Sequence, residues 1–574
     1  MARTTAAAVL AVLAAAGTAG AQVAVTVDAS VRYQRMDGFG TSERVWDDPH
    51  LTDSWNPATQ RAKVVIPESA REVILDDLYD DLKLTRVRPT TEGLGIEPSN
   101  DNGDPLVTDL SKFNFGWKRN DAHIDFVKQA MARGVRTYFL SPVQLETWMT
   151  ESNPSEYVEW AMAILRRWRA RGLTMPYYSV INEPGYRRSG YWSGNYIRSV
   201  IRHMGPKLRA EGFPTKFVIP DDLNASQAYD RSRTILADAE ARRYVGALAC
   251  HLYDEPVSNM AKMKELSERY GLPLWMTEFS KPGDPFGWAN LMHTLIANYG
   301  VSAVDYMWGF FGQQDRAQLI SIRHDGSSYL GYDRRKQYYV TGQWSRFVPP
   351  GARRIRAASS DGAVRVSAFL DGSRPVVVAI NNATGAKTIR VSIGGVSGLT
   401  AMVPVRTTAS ENWRRMPELA VRDGAFTVTL APTSVTTFAV PAYPTLSPLA
   451  FRTTATVNVR TGPGPGYAIR GTAPAGRAYV ADAAANGWRR IFYGGGYGWV
   501  GGTNLAHATG LTGVKVAVSD LNVRSGPANT YRIVGTAHVP EIYIRVAESD
   551  GYSRIQWTGS TAWVKSVYTR GVSF

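Results

Sequence analysis

Two glutamates that follow apolar segments are the first residues whose type and position could do chemistry. Glu183 stands in YYSVINEPGYRR (177–188), directly before Pro184, and Glu278 ends PLWMTE (273–278). A glutamate before proline often only ends a strand, because proline disfavours a helical backbone at the preceding residue. Two carboxyl groups in one pocket can do more, since one can carry a proton while the other is ionised. The pair therefore predicts acid–base chemistry wherever a fold brings the two together.

The elements that would bring them together are short apolar runs that alternate with amphipathic helical segments. Eight such runs occur, at 38–42, 84–88, 135–141, 177–182, 216–221, 245–253, 273–278 and 301–308. Near-continuously apolar strands are typical of a parallel sheet whose two faces are covered by helices. Eight strand–helix units predict a (β/α)8 TIM barrel over residues 37–344. A doubly wound open sheet is the alternative, but no Gly-rich phosphate-binding turn follows the first run.

Catalytic residues of TIM barrels lie at the carboxyl ends of the strands, and this rule places both glutamates at one mouth. The other candidates at strand ends are Asn182, His251, Tyr253, Trp308 and one of Arg86 and Arg88. Paired carboxyl groups with polar and aromatic helpers are the set that breaks a glycosidic bond. The aromatic residues Trp46 and Trp148 also stand near strand ends. Each could stack on a sugar ring or belong to the core.

Several motifs, in the same order along the chain, resemble glycoside hydrolase family 30, whose members are retaining glycosidases built on TIM barrels. They are MDGFGTS (36–42), SPVQLETWM (141–149), HLY (251–253), LWMTEFS (274–280), YYVTGQWSRFVPPGARRI (338–355) and SVTTFAV (434–440). The resemblance implies that Glu183 is the acid/base and Glu278 the nucleophile, about 5 Å apart, and that neither a cofactor nor a metal is needed. It implies supporting roles for Asn182, Arg86, Tyr253 and Trp308, with His251 beside them.

The rest of the chain predicts β-structure. Residues 345–440 alternate apolar and polar positions and predict an antiparallel β-sandwich, joined by N-terminal strands from 22–36. A Pro-rich linker follows at 441–452. VNVRTGPGPGYAIRGT (457–472) then recurs 64 residues later as LNVRSGPANTYRIVGT (521–536), which predicts two copies of a small β-module, at 453–508 and 514–570. The copies resemble bacterial SH3-like modules, a resemblance that implies binding of cell-wall glycan or peptide.

Composition and the N-terminus indicate partners and location. The chain has 65 Lys and Arg against 50 Asp and Glu, a net charge of +15. This favours acidic glycans and anionic wall polymers, and polysaccharide rather than nucleic acid is the expected partner. Residues 1–21 predict a secretory signal peptide, and no later segment is long and apolar enough to span a membrane. The protein is expected to be secreted, and either extracellular or associated with a cell wall.

Cys250 is the single cysteine, so no disulfide can form within the chain. Its neighbour is His251, and adjacent strand residues point to opposite faces, so only one of the two can face the barrel mouth. A thiol nucleophile is one interpretation of this pair. We favour the other, in which His251 faces the mouth and Cys250 packs outward as a structural residue.

The sequence leaves the substrate open. The positive charge, and the likeness of the sandwich to that of xylan-cleaving family members, favour β-1,4-xylan or glucuronoxylan. A β-glucosidase, a glucanase or a β-1,6-galactanase of the same family is the alternative. A peptidoglycan-directed glycosidase and a non-catalytic wall-bound carbohydrate-binding protein are further hypotheses. Four arginines near strand ends could bind a uronate or simply face solvent, namely Arg187, Arg188, Arg316 and Arg323.

Overall fold

The structure is a computed structural model. It describes residues 22–46, 48–56, 61–89, 94–116, 120–186, 190–397, 399, 401–440, 448–485, 487–518, 520–538 and 540–574. The predicted signal peptide, linker residues 441–447 and two of the candidate arginines, Arg187 and Arg188, lie outside these ranges.

Eight parallel strands close into a barrel, which confirms the predicted TIM barrel and all eight apolar runs. The strands are β1 (Gly38–Glu43), β2 (Arg86–Pro89), β3 (Thr137–Leu140), β4 (Tyr177–Tyr178), β5 (Lys216–Asp222), β6 (Val245–His251), β7 (Leu274–Phe279) and β8 (Ala303–Met307). Strand β4 is much shorter than the apolar run 177–182 predicts. Its chain leaves the ladder after two residues, where the Ser179 amide still donates to the Leu140 carbonyl at 2.8 Å.

One main helix follows each barrel strand and covers the outside of the barrel. The helices are α1 (Glu68–Leu75), α2 (Asn120–Met131), α3 (Pro154–Ala170), α4 (Gly194–Ala210), α5 (Ala225–Ala237), α6 (Met260–Tyr270), α7 (Pro285–Tyr299) and α8 (Lys336–Ser345). Helix α7 begins at Pro285, and the side chain of Asp284 caps it by accepting from the Gly287 amide. None of the helices in the described ranges is long and apolar enough to cross a membrane.

Shorter elements complete the barrel. Helix α1 continues as a π-helix (Asp76–Asp81), and short α-helices span Pro49–Thr52 and Ala239–Arg242. The 3-10 turns are Leu110–Lys112, Val257–Asn259, Gly502–Asn504 and Ser566–Tyr568. A two-stranded ladder pairs Trp55–Asn56 with Arg61–Ala62. After β8 comes a three-stranded sheet of Phe310–Gly312, Ile320–His324 and Tyr329–Arg334, which the sequence did not predict.

A ten-stranded sheet forms the β-sandwich beside the barrel. Its strands are Val23–Arg35, Arg353–Ser359, Val364–Asp371, Arg374–Asn381, Lys387–Gly394, Ala401–Thr407, Arg414–Arg415, Leu419–Ala420, Ala425–Leu430 and Ser434–Ala439. As predicted, the N-terminal strand joins this sheet, pairing antiparallel with Arg353–Ser359 and parallel with Lys387–Gly394. Side chains alternate along Arg374–Asn381: Val376 and Val378 join the core shared with the barrel, and Val377 packs in the sandwich's own core.

The C-terminal region contains two seven-stranded sheets with the same strand order. In each, the strands lie in the order third, second, sixth, fifth, fourth, first and seventh along the chain. The first sheet has Leu449–Thr453, Val457–Arg460, Ile469–Ala473, Ala478–Ala485, Trp488–Phe492, Tyr497–Gly501 and Leu505–His507. The second has Thr512–Val516, Asp520–Arg524, Ile533–His538, Ile542–Ser549, Tyr552–Gln556, Thr561–Lys565 and Thr569–Ser573. Leu449–Thr453 lies largely inside the predicted linker, so the first sheet begins earlier than the repeat alone indicates.

Candidate active site

Glu183 and Glu278 meet at the carboxyl ends of the barrel strands. A carboxylate oxygen of each, together with a ring nitrogen of His251, lie within 4.8 Å of one another. Glu183 follows β4 and Glu278 belongs to β7, so strands from opposite sides of the barrel supply the pair. The two residues are only 8% and 9% exposed. The site is therefore a buried pocket in which charges interact strongly.

The backbone of the Asn-Glu-Pro turn aims Glu183 into this pocket. Glu183 has φ of 48°, in the left-handed region that non-glycine residues seldom adopt. Its amide donates to the Asp221 carbonyl at 2.8 Å, and the Asn182 amide donates to the Pro142 carbonyl at 2.8 Å. These bonds, to Asp221 in β5 and to Pro142 just after β3, hold the turn. Such local strain is typical of functional sites.

Two donors fix the carboxylate of Glu278. Arg88 Nη1 donates to Glu278 Oε2 at 2.8 Å, and the Tyr253 hydroxyl donates to Oε1 at 3.1 Å. The bond from Arg88 is charge-assisted and therefore among the stronger kinds of hydrogen bond. Because each donor holds a different oxygen, the carboxylate has one defined orientation.

His251 is fully buried and links the acid to the barrel interior. Its Nδ1 lies 2.8 Å from Glu183 Oε1, and its Nε2 lies 3.4 Å from Asp221 Oδ1. Burial alone would lower the pKa of His251, but Glu278, Asp221 and Glu183 outweigh burial and raise this pKa to about 10. His251 is therefore an imidazolium at neutral pH, and its Nδ1–H donates to Glu183.

Asp221 contacts both cations of the site, Arg88 and His251. This residue is not among the candidates selected from the sequence. Asp221 accepts from Ser141 Oγ and Thr277 Oγ1, both at 2.6 Å, and from Arg88 Nη2 at 3.0 Å. Burial would raise the pKa of Asp221, but Arg88 and His251 hold it well below its ordinary range. Asp221 ends the fifth predicted strand, so the strand-end rule, applied to every strand, would have found it.

Arg88, rather than Arg86, is the arginine that supports the glutamates. Arg86 pairs with Asp305 through two bonds of 2.9 Å, and its guanidinium lies 4.1 Å from the ring centre of Trp275. Residues two apart on a strand share a face, so both arginines point into the barrel, with Arg86 one layer deeper. The preference for Arg86 is corrected accordingly. Asn182 lies in the mouth, where its Oδ1 accepts from Arg88 Nη2.

The candidate aromatic residues occupy different environments. Trp308 is 7% exposed and stacks on Phe311 with ring centres 5.3 Å apart. Trp148 is half-buried, and its indole N–H donates to the Glu97 carbonyl at 2.7 Å. Trp46 stacks on Phe310 at 4.3 Å within the hydrophobic core. Trp46, which is 8% exposed, and Trp308 both belong to this core.

The remaining candidates have other surroundings. Arg323 Nε pairs with Asp333 Oδ2 at 3.1 Å on the three-stranded sheet, and Arg316 is exposed. Cys250 packs against Met260 of α6, with the two sulfurs 3.5 Å apart, and burial raises the pKa of its thiol. A buried, protonated thiol outside the pocket is a structural residue rather than a nucleophile.

Glu183, His251 and Glu278 have the spacing of a metal site, the one such group of His, Cys, Asp and Glu in the described ranges. In this structure both glutamates already have cationic partners, His251 beside Glu183 and Arg88 beside Glu278. Metal ligands must be deprotonated, whereas the raised pKa makes His251 an imidazolium. The positive charge beside the two glutamates is thus supplied by the side chains of His251 and Arg88.

Comparison with known proteins yields relatives at low identity. No family model matches the chain. It is 27% identical over 285 residues to the glucuronoxylanase XynC of Bacillus subtilis, covering 47% of this chain and 62% of that protein. It is 23% identical over 396 residues to an endo-1,6-β-D-glucanase of Neurospora crassa, covering 61% of this chain and 79% of the relative. The chain thus spans less than two thirds of XynC.

Solved structures agree with the fold. A GH30 endoxylanase from Clostridium papyrosolvens C71 superposes with a TM-score of 0.58 at 24% identity. The match covers 72% of this chain and 99% of the endoxylanase. At this identity the likeness establishes the fold, a TIM barrel with an attached β-sandwich.

Proposed function

We propose that this chain is a retaining β-glycoside hydrolase of glycoside hydrolase family 30 that cleaves β-1,4-xylan or glucuronoxylan. The observation that carries the proposal is the separation of Glu183 and Glu278, which have carboxylate oxygens within 4.8 Å. Retaining glycosidases have carboxyl groups about 5–5.5 Å apart, whereas inverting enzymes need about 6.5–9.5 Å to admit a water molecule. The shorter distance supports a covalent, retaining mechanism.

In the first step, Glu278 attacks the anomeric carbon of the sugar and forms a glycosyl ester. The bond between that carbon and the glycosidic oxygen breaks, and Glu183 transfers its proton to the departing oxygen. In the second step, Glu183 removes a proton from a water molecule, which attacks the same carbon and releases Glu278. Two inversions at one carbon retain its configuration.

The charges around the pair suit these roles. Arg88 and His251 are two cations, and they balance the two carboxylates of Asp221 and Glu278. Glu183 is left as the carboxyl group that can carry the catalytic proton without leaving a cation unbalanced. When Glu183 gives up this proton, the imidazolium of His251 at 2.8 Å compensates the new negative charge.

Neighbouring side chains would position the nucleophile and the sugar. The donors from Arg88 and Tyr253 orient Glu278 for attack. Arg88 also fixes the carbonyl of Asn182, which turns the amide N–H2 group towards a sugar hydroxyl. Bonds to the 2-hydroxyl strengthen as the transition state forms and contribute to the rate. Trp308, at the end of β8, is proposed to line the sugar site.

The choice of substrate rests on the relatives and on charge. The Bacillus subtilis relative is a glucuronoxylanase, and a net charge of +15 suits a polysaccharide that bears uronic acids. A second candidate, cleavage of β-1,6-glucan, is favoured by the longer alignment with the Neurospora crassa endo-1,6-β-D-glucanase. Both reactions use the same carboxylate pair.

The test measures reducing-sugar release from glucuronoxylan, arabinoxylan, β-1,6-glucan, β-1,6-galactan and bacterial wall. Glu278→Gln is the inactive variant, and Glu240→Gln, an exposed change on the outer surface, is the matched control. We expect release from a xylan by the wild type and the control alone, with retained configuration by proton NMR of the first product. Release from β-1,6-glucan alone would replace xylan by the second candidate. An inverted product would contradict the mechanism.

We extend the proposal to the ends of the chain. Residues 1–21 act as a signal peptide for secretion, and the two C-terminal sheets act as SH3-like modules that bind cell-wall glycan or peptide. Equivalent arginines support their common design, since Arg460 Nη1 donates to the Tyr467 carbonyl at 2.7 Å and Arg524 Nη1 to the Tyr531 carbonyl at 2.9 Å. Sedimentation of the full chain with purified bacterial walls tests the modules. A full chain that stays in the supernatant would contradict wall binding.

A further inference from the structure

A groove runs along the seam between the barrel and the sandwich. Its larger part is a cavity of about 700 Å³ between helices α6 and α7 and the strands Val23–Arg35, Arg353–Ser359 and Val364–Asp371. A second cavity of about 400 Å³ shares Arg365 with the first and reaches Leu252 and Phe279. Phe279 packs against Tyr253 of the mouth, with ring centres 5.2 Å apart. We call the two cavities together the seam groove, and it leads towards the barrel mouth.

Two arginines and a histidine line the seam groove. Arg354 lies directly opposite Phe369 on the neighbouring strand, so the two side chains are on the same face of the sheet. Residues 365, 367 and 369 also share a face, because every second residue of a strand points the same way. Arg354 and Arg365 therefore lie on one face. Across the groove, His293 Nδ1 lies 2.8 Å from Ser367 Oγ, and Arg365 Nη1 donates to Thr294 Oγ1 at 3.4 Å. Burial, Arg365 and Arg354 together lower the pKa of His293 to about 4. The arginines thus make this part of the groove strongly positive.

The arginines of the groove differ from its other charged residues. Lys264 pairs with Glu268, and Asp361 pairs with Lys387. Within the described ranges, no carboxylate pairs with Arg354 or Arg365. The guanidinium carbon of Arg354 instead lies 3.6 Å from the ring centre of Tyr33, and Arg354 Nε donates to Gln34 Oε1 at 2.9 Å.

Stacking on Tyr33 holds the guanidinium of Arg354 in one plane. A stacked guanidinium is pre-organised for a planar, two-bond contact with a carboxylate. Arg365 lies on the same face and is exposed, so its side chain can reach a ligand in the groove. The two arginines are therefore an anion site without an internal anion.

We propose that the seam groove is a second, non-catalytic site for a polysaccharide that bears uronic acids, with uronate carboxylates bound by Arg354 and by Arg365. The cavities match ligand pockets in size, which range over about 300–1,000 Å³, and two adjoining cavities suit an extended chain better than a small free anion. A chain held there lies beside the mouth, which raises its local concentration at the pocket. This last consequence rests on the proposed function, whereas binding itself does not.

The test is affinity electrophoresis of the full chain through gels that contain glucuronoxylan or the same polymer with its carboxyl groups reduced. We expect the wild type to be retarded more by the native polymer. In Arg354→Gln/Arg365→Gln, the dissociation constant for the native polymer should rise about tenfold, the loss that accompanies removal of a charge-assisted contact. Retardation that is equal in both gels, or unchanged in the variant, would overturn the proposal.

A matched variant separates the groove from general charge. Arg356→Gln/Arg390→Gln removes two positive charges from the same sheet outside the groove, where Arg356 pairs with Asp28. We expect this control to be retarded like the wild type, and an equal loss in both double variants would overturn the site. Since Arg354 is partly buried, Arg365→Glu, a change at an exposed residue, provides the second measurement. It should weaken binding even if Arg354→Gln impairs folding.

Kinetics distinguish this inference from the proposed function. In Arg354→Gln/Arg365→Gln, kcat/KM on glucuronoxylan should fall severalfold, while kcat/KM on an aryl xyloside, too short to reach the groove, should stay unchanged. An equal fall on both substrates would overturn the tethering role. If the wild type hydrolyses neither substrate, the proposed function fails. Even if the wild type is inactive, a loss of retardation in Arg354→Gln/Arg365→Gln but not in the control variant would support binding in the seam groove.

Discussion

Two arginines two residues apart on β2 occupy contrasting layers of the barrel interior. Both are 1% exposed. In the deeper layer, Arg86 pairs with one carboxylate, that of Asp305, and its guanidinium also lies over the ring of Trp275. At the mouth, Arg88 is shared between Glu278, Asp221 and Asn182. Two arginines on the same face of one strand thus have different environments: Arg86 belongs to an ion pair, and Arg88 belongs to a hydrogen-bonded network.

The difference indicates what each layer can do. The pair of Arg86 and Asp305 is almost completely buried, with both side chains 1% exposed, so it contributes to the structure of the barrel rather than to a ligand site. In the network, three carboxyl groups share two cations, and one proton can move without separating a pair. Changes in the deeper layer should therefore alter stability, and changes at the mouth should alter turnover.

The largest effect should follow from removing the nucleophile at the mouth. Glu278→Gln leaves Arg88 its contact with Asp221 but cannot form the glycosyl ester. We expect kcat to fall by about 10⁴-fold or more, with a melting temperature close to that of the wild type. Turnover of an aryl glycoside and thermal unfolding check the two parts. If Glu278→Gln loses its fold along with its activity, the claim that changes at the mouth affect turnover rather than stability is wrong.

In the deeper layer, the expected effect is on stability. Arg86→Met leaves Asp305 buried without its partner, and breaking a buried pair costs about 3–5 kcal/mol of unfolding free energy. Denaturant unfolding of the full chain, followed by tryptophan fluorescence, measures this loss. Arg86→Met/Asp305→Leu removes both charges and should recover most of it. Equal losses in the single and double variants would show that packing, rather than the charge, is what matters there.

Much of this layout is predictable from local sequence. The eight apolar runs carry their own strand signal, and the strand-end rule then selects Glu183 and Glu278, which the structure brings together. The choice between Arg86 and Arg88 is not local, because residues two apart share a face and alternation cannot separate them. It depends on which carboxylate lies opposite, Asp305 or Glu278, and that follows from the register of strands far apart in sequence.

Trp46 and Asp221 illustrate the same limit. Trp46 stands near a strand end, but its partner Phe310 comes more than 260 residues later, so packing in the core could not be inferred locally. Asp221 carries the strand-end signal, yet its importance comes from four partners on four different segments. Local patterns predict elements and candidates, whereas assembled contacts decide between candidates.

The mouth should also be visible in the pH dependence of stability. His251 has a pKa raised to about 10 from an ordinary value of 6.5. Between these values the folded protein keeps a proton that the unfolded chain has lost, so the unfolding free energy falls as pH rises. We expect the wild type to lose about 5 kcal/mol over this window relative to His251→Gln, at roughly 1.4 kcal/mol for each unit of pKa shift. Denaturant unfolding at several pH values measures the difference.

His293 provides the opposite case as a control. Its pKa is lowered to about 4, so its contribution to stability rises with pH between about 4 and 6.5 and is constant above. His293→Gln should therefore change the acidic window and leave the alkaline window like that of the wild type. A flat difference between wild type and His251→Gln from pH 6.5 to 10 would contradict the imidazolium at the mouth.

The smallest effect concerns a single hydroxyl. Tyr253→Phe removes one of the two donors to Glu278 and leaves the one from Arg88. Because the carboxylate keeps its stronger bond, we expect kcat/KM to fall about 10–100-fold, the cost of one lost contact in the transition state. Steady-state kinetics on an aryl glycoside measure the change. Tyr138→Phe is the matched control, since that hydroxyl donates to the Thr174 carbonyl at 2.8 Å away from the mouth. Tyr138→Phe should lower the unfolding free energy by about 1 kcal/mol and leave turnover unchanged. An equal fall in turnover from both changes would contradict the distinction between the mouth and the rest of the barrel.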